Sequence, residues 1–468
     1  MLFSSSTFLF VFLPLVIMFY YSFFRHSRRL QNIFLLLASL IFYAWGEPSF
    51  VFVMLGSIIV NYSFGLLVEY FRQDKKKSKI ILSVSVVFNL ILLFIFKYLT
   101  FTIENINSIF GLSLDIGFNI TLPLGISFFT FQAMSYVIDV YRGNEVQKNP
   151  LNVGLYIAFF PQLIAGPIVR YETVAYQINH RKENFTMFSD GVTRFIAGLG
   201  KKVLIANTMA IVADNTFNSD ISELSVAFAW LGAIAYTFQI FFDFSGYSDM
   251  AIGLGKMFGF EFSENFDYPY ISTSITEFWR RWHISLGTWF RDYVYFPLGG
   301  SRVKGKFRLM RNLFVVWFLT GVWHGANWTF ILWGLTYFLL LVFEKITQIY
   351  KSRKFLPLKY LYTIFFVIMG WVLFRSDTVT QAYEYITAMF GGSGVLIDNH
   401  ALFFLKENWI FFLSAVLCST PLIRKILTKA ENKGITSFFV MLFFLAILWC
   451  SVSYIVKGTY NPFIYFNF

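Results

Sequence analysis

Two of the five histidines stand where an imidazole can do chemistry. His324 lies in Gly321-Val322-Trp323-His324-Gly325-Ala326-Asn327-Trp328, between apolar runs. Imidazole has the side-chain pKa nearest neutrality, so it serves as a general base with little tuning. Gly321 and Gly325 permit close approach of backbone or ligand, while Trp323, Asn327 and Trp328 supply an aromatic wall and an amide. The competing reading is a core histidine hydrogen-bonded between helices. His283 follows Trp279-Arg280-Arg281-Trp282. The planar donors of Arg280 and Arg281 suit phosphate, and Trp279 and Trp282 suit stacking. Trp and Arg at a helix boundary equally describe an interfacial anchor. His26, His180 and His400 fall in polar loops and read as solvated residues.

Asp243 and Asp249, in Asp243-Phe244-Ser245-Gly246-Tyr247-Ser248-Asp249, are placed where an apolar run meets a polar one. They read either as partners orienting an Arg or His, or as ordinary helix-end polar residues. Gly253-Leu254-Gly255-Lys256 lacks the spacing of a phosphate-binding loop. The histidines are scattered and form no helical pair, so no metal is expected. Cys418 and Cys450 sit in separate apolar runs and read as filler.

These residues need elements to hold them, and the composition says of what kind. Of 468 residues 57% are apolar, 21% aromatic and 14% charged, with 62 Phe, against roughly 25% charged in a soluble domain. Lipid is the natural solvent for such a chain. A net charge of +12 raises nucleic-acid binding, but the basic residues cluster between apolar runs, as cytoplasmic loops do.

Spans of roughly 20 apolar residues, oriented by basic loops, then set the topology. Residues 8–24 have no basic stretch before them and no small-residue cleavage site after, so they read as a retained first span. Basic clusters at 25–29 and 72–79 bracket two apolar stretches joined at Gly46-Glu47-Pro48. Both clusters are therefore cytoplasmic and the N-terminus lies outside. Further spans are expected over residues 80–96, 122–140, 203–217, 226–242, 361–374, 409–422 and 435–455. Outer segments cover 100–119 and 375–406, a basic loop 424–433, and an outer tail 457–468. Residues 151–168 have basic neighbours at both ends and are broken by Pro161 and Ala165-Gly166-Pro167. They read as a re-entrant hairpin or as an interfacial helix.

Residues 256–311 form cytoplasmic interfacial helices, and residues 312–350 a hairpin. Arg311 and the basic residues at 351–354 are both cytoplasmic, so the chain between them enters and returns, turning at 321–328. His324 lies thirteen residues beyond Arg311, about 20 Å of depth at ~1.5 Å per helical residue. An ionisable group at that depth is a functional hypothesis by default. The fold class is an all-α polytopic membrane protein, one integral-membrane domain over residues 1–468. It has roughly nine or ten full spans plus one or two re-entrant pieces.

Five segments carry a resemblance. They are residues 159–168 (Phe-Phe-Pro-Gln-Leu-Ile-Ala-Gly-Pro-Ile), 243–250 (Asp-Phe-Ser-Gly-Tyr-Ser-Asp-Met), 277–285 (Glu-Phe-Trp-Arg-Arg-Trp-His-Ile-Ser), 291–300 (Arg-Asp-Tyr-Val-Tyr-Phe-Pro-Leu-Gly-Gly) and 319–328 (Leu-Thr-Gly-Val-Trp-His-Gly-Ala-Asn-Trp). In this order the chain resembles the membrane-bound O-acyltransferase (MBOAT) family, in its bacterial alginate O-acetylation branch. The resemblance implies helices around a central pore joining the two membrane faces. It also implies a catalytic histidine at His324 and a second functional histidine at His283, where other branches carry Asn. The implied donor substrate is cytoplasmic acetyl-coenzyme A, with no permanently bound cofactor. The implied partner is an extracytoplasmic SGNH-hydrolase-type acetyltransferase that modifies a polysaccharide, with the chain in the bacterial cell membrane; the basic loops put both termini outside.

On that reading His324 deprotonates an acceptor hydroxyl, and Asn327 or Trp323 stabilises the oxyanion. Trp279, Arg280, Arg281 and Trp282 receive coenzyme A, with Lys304 and Lys306 nearby, and Asp243 belongs to the same binding set. Three alternatives stand beside it: transfer of D-alanine from a carrier protein, a transporter or flippase, and a passive scaffold. A transporter predicts carboxylates within the spans and usually inverted repeats. A scaffold predicts that His324 is dispensable.

Overall fold

In hydrocarbon the backbone must bond within its own segment, which for a single chain stretch means a helix. Accordingly, every regular element among the described residues is helical. The computed structural model describes residues 1–115, 117, 120–351, 355–431, 434–458 and 460–464. The basic residues Arg353 and Lys354, part of the expected loop 424–433 and part of the expected tail lie outside them.

The helices in chain order begin with α1 (Phe8–Ser22), α2 (Arg28–Ala44), α3 (Val51–Tyr70), α4 (Lys75–Phe110) and α5 (Ile126–Tyr141). Three short ones follow, α6 (Pro150–Ala158), α7 (Phe160–Leu163) and α8 (Tyr171–His180). Two long ones come next, α9 (Phe185–Phe217) and α10 (Val226–Met257). Then come α11 (Ile275–Arg281), α12 (Ile284–Phe290), α13 (Lys306–His324), α14 (Trp328–Thr347) and α15 (Leu356–Arg375). The chain closes with α16 (Val379–Met389), α17 (Asn399–Cys418), α18 (Leu422–Glu431) and α19 (Gly434–Lys457). Short polar side chains start several of them: Ser27, Asp74 and Asn149 accept backbone N–H groups of the first turns of α2, α4 and α6.

Eight of these helices are long and apolar enough to cross a membrane by length and composition. They are α3, α4, α9, α10, α14, α15, α17 and most of α19. The expected spans that fall short do so for local reasons. Helices α2 and α5 have 17 and 16 residues, and α13 spends its first turns on Lys306, Arg308 and Arg311. Two helices exceed expectation instead. Helix α9 begins at Phe185 rather than near Val203, because Lys202 is not a loop residue but a buried one. Helix α10 continues past Phe242, so Asp243 sits mid-helix and not at a helix end.

Contacts gather the chain into two units: Met1–Phe195 with Met250–Ser263, and Ile196–Asp249 with Glu264–Phe468. In the first, the stretch expected as a hairpin or interfacial helix is a buried broken helix. Helix α6 stops at Phe159, whose ψ of 114° releases the next N–H, and Ser39 Oγ accepts that N–H from Phe160 at 3.0 Å. Gln162 Nε2 donates to Tyr156 O at 2.5 Å across the break. The core of this unit also buries Arg181, which donates to Asn32 Oδ1 at 2.7 Å and lies beside the Arg28–Glu183 ion pair.

The second unit holds the histidine hairpin. Helices α13 and α14 pack side by side because Gly321 has no side chain; a Cβ there would lie 2.5 Å from Phe330 O. The close approach expected at Gly321 is thus taken by backbone. Helices α9 and α10 come equally close at Gly246, where a Cβ would lie 2.7 Å from Gly198 O.

Candidate functional site

His324 is the last residue of α13, and its ring is buried. Three rings meet it edge-on: Trp323 at 5.0 Å, Trp333 at 4.9 Å and Phe374 at 5.2 Å between centroids. Such T-shaped contacts fix the plane of the imidazole. Asn327 starts the return helix: its Oδ1 accepts from Thr329 N at 3.0 Å and its Nδ2 donates to Asp377 O at 2.8 Å. The amide is therefore engaged at both ends in shaping the turn.

His283 occupies the junction of α11 and α12 with φ 45°, in the left-handed region. A non-glycine residue held there marks an over-determined and often functional position. Asn265 holds it. Its Oδ1 accepts from Ser285 N at 3.2 Å and Ser285 Oγ at 2.9 Å, and it meets His283 Nδ1 at 3.2 Å. Because a backbone N–H donates to that atom, it is the oxygen, so His283 Nδ1 carries the hydrogen and Nε2 the lone pair. Burial pushes this imidazole down to about 3, which keeps it neutral.

Helix α11 is pinned by a carboxylate. Glu344, fully buried on α14, accepts from Ile275 N at 2.6 Å, Thr276 N at 2.8 Å and Thr276 Oγ1 at 2.6 Å. A negative charge at a helix N-terminus meets unpaired N–H groups and the positive end of the dipole. Ser274 and Glu277 add a capping arrangement, Ser274 Oγ accepting from Glu277 N and Glu277 accepting from Thr273 N. The bonds from Thr273 and Arg281 hold the Glu277 carboxyl below its usual range against the opposing effect of burial.

Both histidines line one cavity of about 360 Å³, together with Trp279, Trp282, Arg280 and Arg291. Arg280 is exposed and makes no ion pair among the described residues. Arg281 instead pairs with Glu277 at 2.9 Å and Asp267 at 3.2 Å, and does not line the cavity. The two adjacent guanidiniums thus have different surroundings. Lys304 and Lys306 are exposed and lie off the cavity. Trp323 spans between the histidines, its ring 6.0 Å from His283. The indole N–H groups of Trp279 and Trp333 are buried without a hydrogen-bond partner among the described residues, a cost that a bound acceptor would remove.

A second cavity, about 390 Å³, is lined by Asn327, Phe330, Phe374, Asp214, Arg375 and the segment 461–464. Phe374 touches His324 on one side and Phe330 at 4.8 Å on the other. Phe374 thus links the wall of this cavity to the imidazole. Asp243 belongs to neither cavity; it pairs with Lys202 at 2.7 Å.

Sequence reasoning missed Asn265, Glu344 and Lys202. The Ser274-to-Glu277 spacing was the available sign that α11 begins a defined helix, and Glu344 was a carboxylate inside an apolar run.

Known proteins resemble this chain in sequence. The model of the family described as MBOAT, membrane-bound O-acyltransferase family, matches residues 37–380. The chain is 46% identical over 395 residues to a probable alginate O-acetylase of Pseudomonas putida, covering 83% of the chain and 80% of that protein. It is 36% identical over 460 residues to a peptidoglycan O-acetyltransferase of Helicobacter pylori, covering 90% and 86%. It is 33% identical over 279 residues to a teichoic acid D-alanyltransferase of Bacillus subtilis, covering 55% and 69%.

Proposed function

This chain belongs to the membrane-bound O-acyltransferase family, and on that premise we propose that it transfers acetyl groups from acetyl-coenzyme A to a hydroxyl acceptor outside the bilayer. The observation that carries the reading is a single cavity bearing His283 and His324 in its wall, with the unpaired Arg280 beside them. The phosphates of coenzyme A engage Arg280, while Arg291 beside it is paired with Asp292 at 2.7 Å, and the pantetheine arm runs inward past Trp279 and Trp282. His283 Nε2, fixed as an acceptor by Asn265, takes an amide N–H of that arm.

The chemical step follows from the same residues. His324 removes the proton of the acceptor hydroxyl, whose oxygen attacks the thioester carbonyl carbon. The new C–O bond creates a tetrahedral oxyanion, stabilised by a buried indole N–H, that of Trp279 or Trp333. Collapse breaks the C–S bond, and the departing sulfur takes the proton from the imidazolium, leaving an ester and free coenzyme A. A largely apolar cavity keeps water from the thioester meanwhile.

The acceptor is an envelope polysaccharide, reached through an SGNH-hydrolase-type partner in the extracytoplasmic space. Relatives named for alginate and peptidoglycan O-acetylation support this substrate class. The D-alanine alternative draws on a likeness that covers about half of the chain. The orientation is as the basic loops imply, with Arg280 facing the cytoplasm and both termini outside.

The test is His324→Ala in membranes supplied with radiolabelled acetyl-coenzyme A. Removing a general base lowers the rate about 10²–10⁴-fold, with expression retained. Normal acetyl incorporation by that variant would overturn the reading, and incorporation only from an acylated carrier protein would favour the alternative.

A further inference from the structure

Lys202 and Asp243 are each 2% exposed at the side chain and form an ion pair at 2.7 Å. An ion pair buried this way gains little net stability over well-packed apolar residues. Its remaining bonds all but one go to a single place. Asp243 Oδ2 accepts from Ile464 N at 2.8 Å, Lys202 Nζ donates to Pro462 O, and its last partner is Asn207 Oδ1 at 2.9 Å. Asn207 Nδ2 in turn donates to Asn461 Oδ1 at 3.3 Å. Phe463 packs on Tyr247 at 4.9 Å and lies 5.9 Å from the Lys202 ammonium. One step earlier in the chain, Tyr460 donates to Asp214, which pairs with Arg375 at 2.9 Å.

The segment so held is a wall of the second cavity. Residues 461–464 face Asn327, Phe330 and Phe374 across it, and Phe374 touches His324. The segment is not helical apart from Ile464, so its backbone groups need partners that neither lipid nor a helix supplies. Lys202 and Asp243 meet that need from within α9 and α10.

We propose that Lys202 and Asp243 are positioning residues: they clamp segment 461–464 in place as the wall of the acceptor-side cavity, and act on the reaction only through it. The acceptor-side assignment rests on the function proposed above; the clamp itself does not. With the clamp released the wall loosens, water reaches the acyl group, and acetyl-coenzyme A is hydrolysed instead of used.

Two measurements test this. The first uses purified protein in detergent with Cys418→Ala, Cys450→Ala and Ile464→Cys, labelled with a polar maleimide. Ile464 is 5% exposed, so labelling is slow with the ion pair intact. Adding Lys202→Met and Asp243→Leu, which keeps apolar volume but removes the bonds from the ion pair to Ile464 N and Pro462 O, should speed labelling at least tenfold. Should that pair fail to fold, Asp243→Asn replaces it with a smaller expected rise. Equal shielding with and without the ion pair overturns the clamp, as does fast labelling when it is intact.

The second measurement gives Lys202→Met/Asp243→Leu membranes radiolabelled acetyl-coenzyme A. Label in polymer should fall at least tenfold and label released as acetate should rise, with the KM for acetyl-coenzyme A unchanged. A KM that rises with the loss would assign the pair a general structural role and overturn the proposal. If the intact protein transfers no acetyl group at all, the functional reading fails while the labelling result still decides the clamp.

Discussion

Glu344→Gln probes how the donor cavity is held. The carboxylate accepts three hydrogen bonds at the start of α11, two of them from the backbone N–H groups of Ile275 and Thr276. A glutamine keeps one oxygen, so one of those N–H groups meets an amide NH₂. A buried donor left without an acceptor costs about 1–3 kcal/mol, and the lost charge at the helix N-terminus adds up to ~2 kcal/mol. Together these are on the order of 2–4 kcal/mol, concentrated in the helix that carries Trp279 and Arg280. At about 1.4 kcal/mol per factor of ten, even half of that raises the KM for acetyl-coenzyme A roughly tenfold. Glu344→Asp, a methylene shorter, should reach one N–H group and fall between. The assay is the KM for radiolabelled acetyl-coenzyme A with purified protein, alongside a thermal melt followed by tryptophan fluorescence. Wild-type KM and melting temperature together in Glu344→Gln would refute the view that this carboxylate sets the position of α11.

Arg280→Ala should raise the KM for acetyl-coenzyme A about 10- to 150-fold, one charge-assisted phosphate bond, with kcat retained. Arg281→Ala should instead lower the melting temperature and leave KM within a factor of three or so, because its partners are Glu277 and Asp267. Gly321→Ala places a methyl 2.5 Å from Phe330 O; overpacking costs about 1–3 kcal/mol, and parting α13 from α14 should cut kcat more than KM. His283 is neutral in the fold because burial lowers its pKa to about 3. Its stabilising contribution is complete above the unfolded value near 6.5 and is lost as pH falls toward 3. Melts from pH 7 to pH 4 should therefore show a steeper acid loss in the parent than in His283→Asn, and parallel curves would contradict this assignment.

How far the residues announced this arrangement depends on the kind of interaction. His324 was legible because polar residues in apolar runs are few, and the two basic flanks of its hairpin gave a depth. His283 was legible as a motif, but its left-handed backbone and the Asn265 brace were not. Asn265 reaches it from eighteen positions away, and nothing local in the sequence sets that pairing. Adjacent Arg280 and Arg281 look alike as letters; only the helical offset that puts Glu277 one turn before Arg281 separates them. The span limits at Val203 and Phe242 were misplaced for one shared reason. Charge in a sequence signals a loop, whereas Lys202 and Asp243 neutralise each other inside the helices.

That pairing bears on why charges persist in the second unit at all. An ion within apolar surroundings is expensive, and helix packing alone does not require one. Yet Glu344 bonds to the first N–H groups of α11, and Asp243 and Lys202 bond to the backbone at Ile464 and Pro462. Neither a seven-residue helix nor a mostly irregular segment can satisfy its own backbone, and hydrocarbon offers no water to do so. Leu or Met at these positions would fill the space between helices and still leave those N–H groups and the Pro462 carbonyl without these partners. Charged side chains within the apolar helices therefore act as docking points for the pieces of chain that do not span. Those same pieces line the two cavities, and Phe374 in the wall of the second touches His324. The long helices supply rigidity, and the short segments they hold supply the surfaces at which reactants can meet His324.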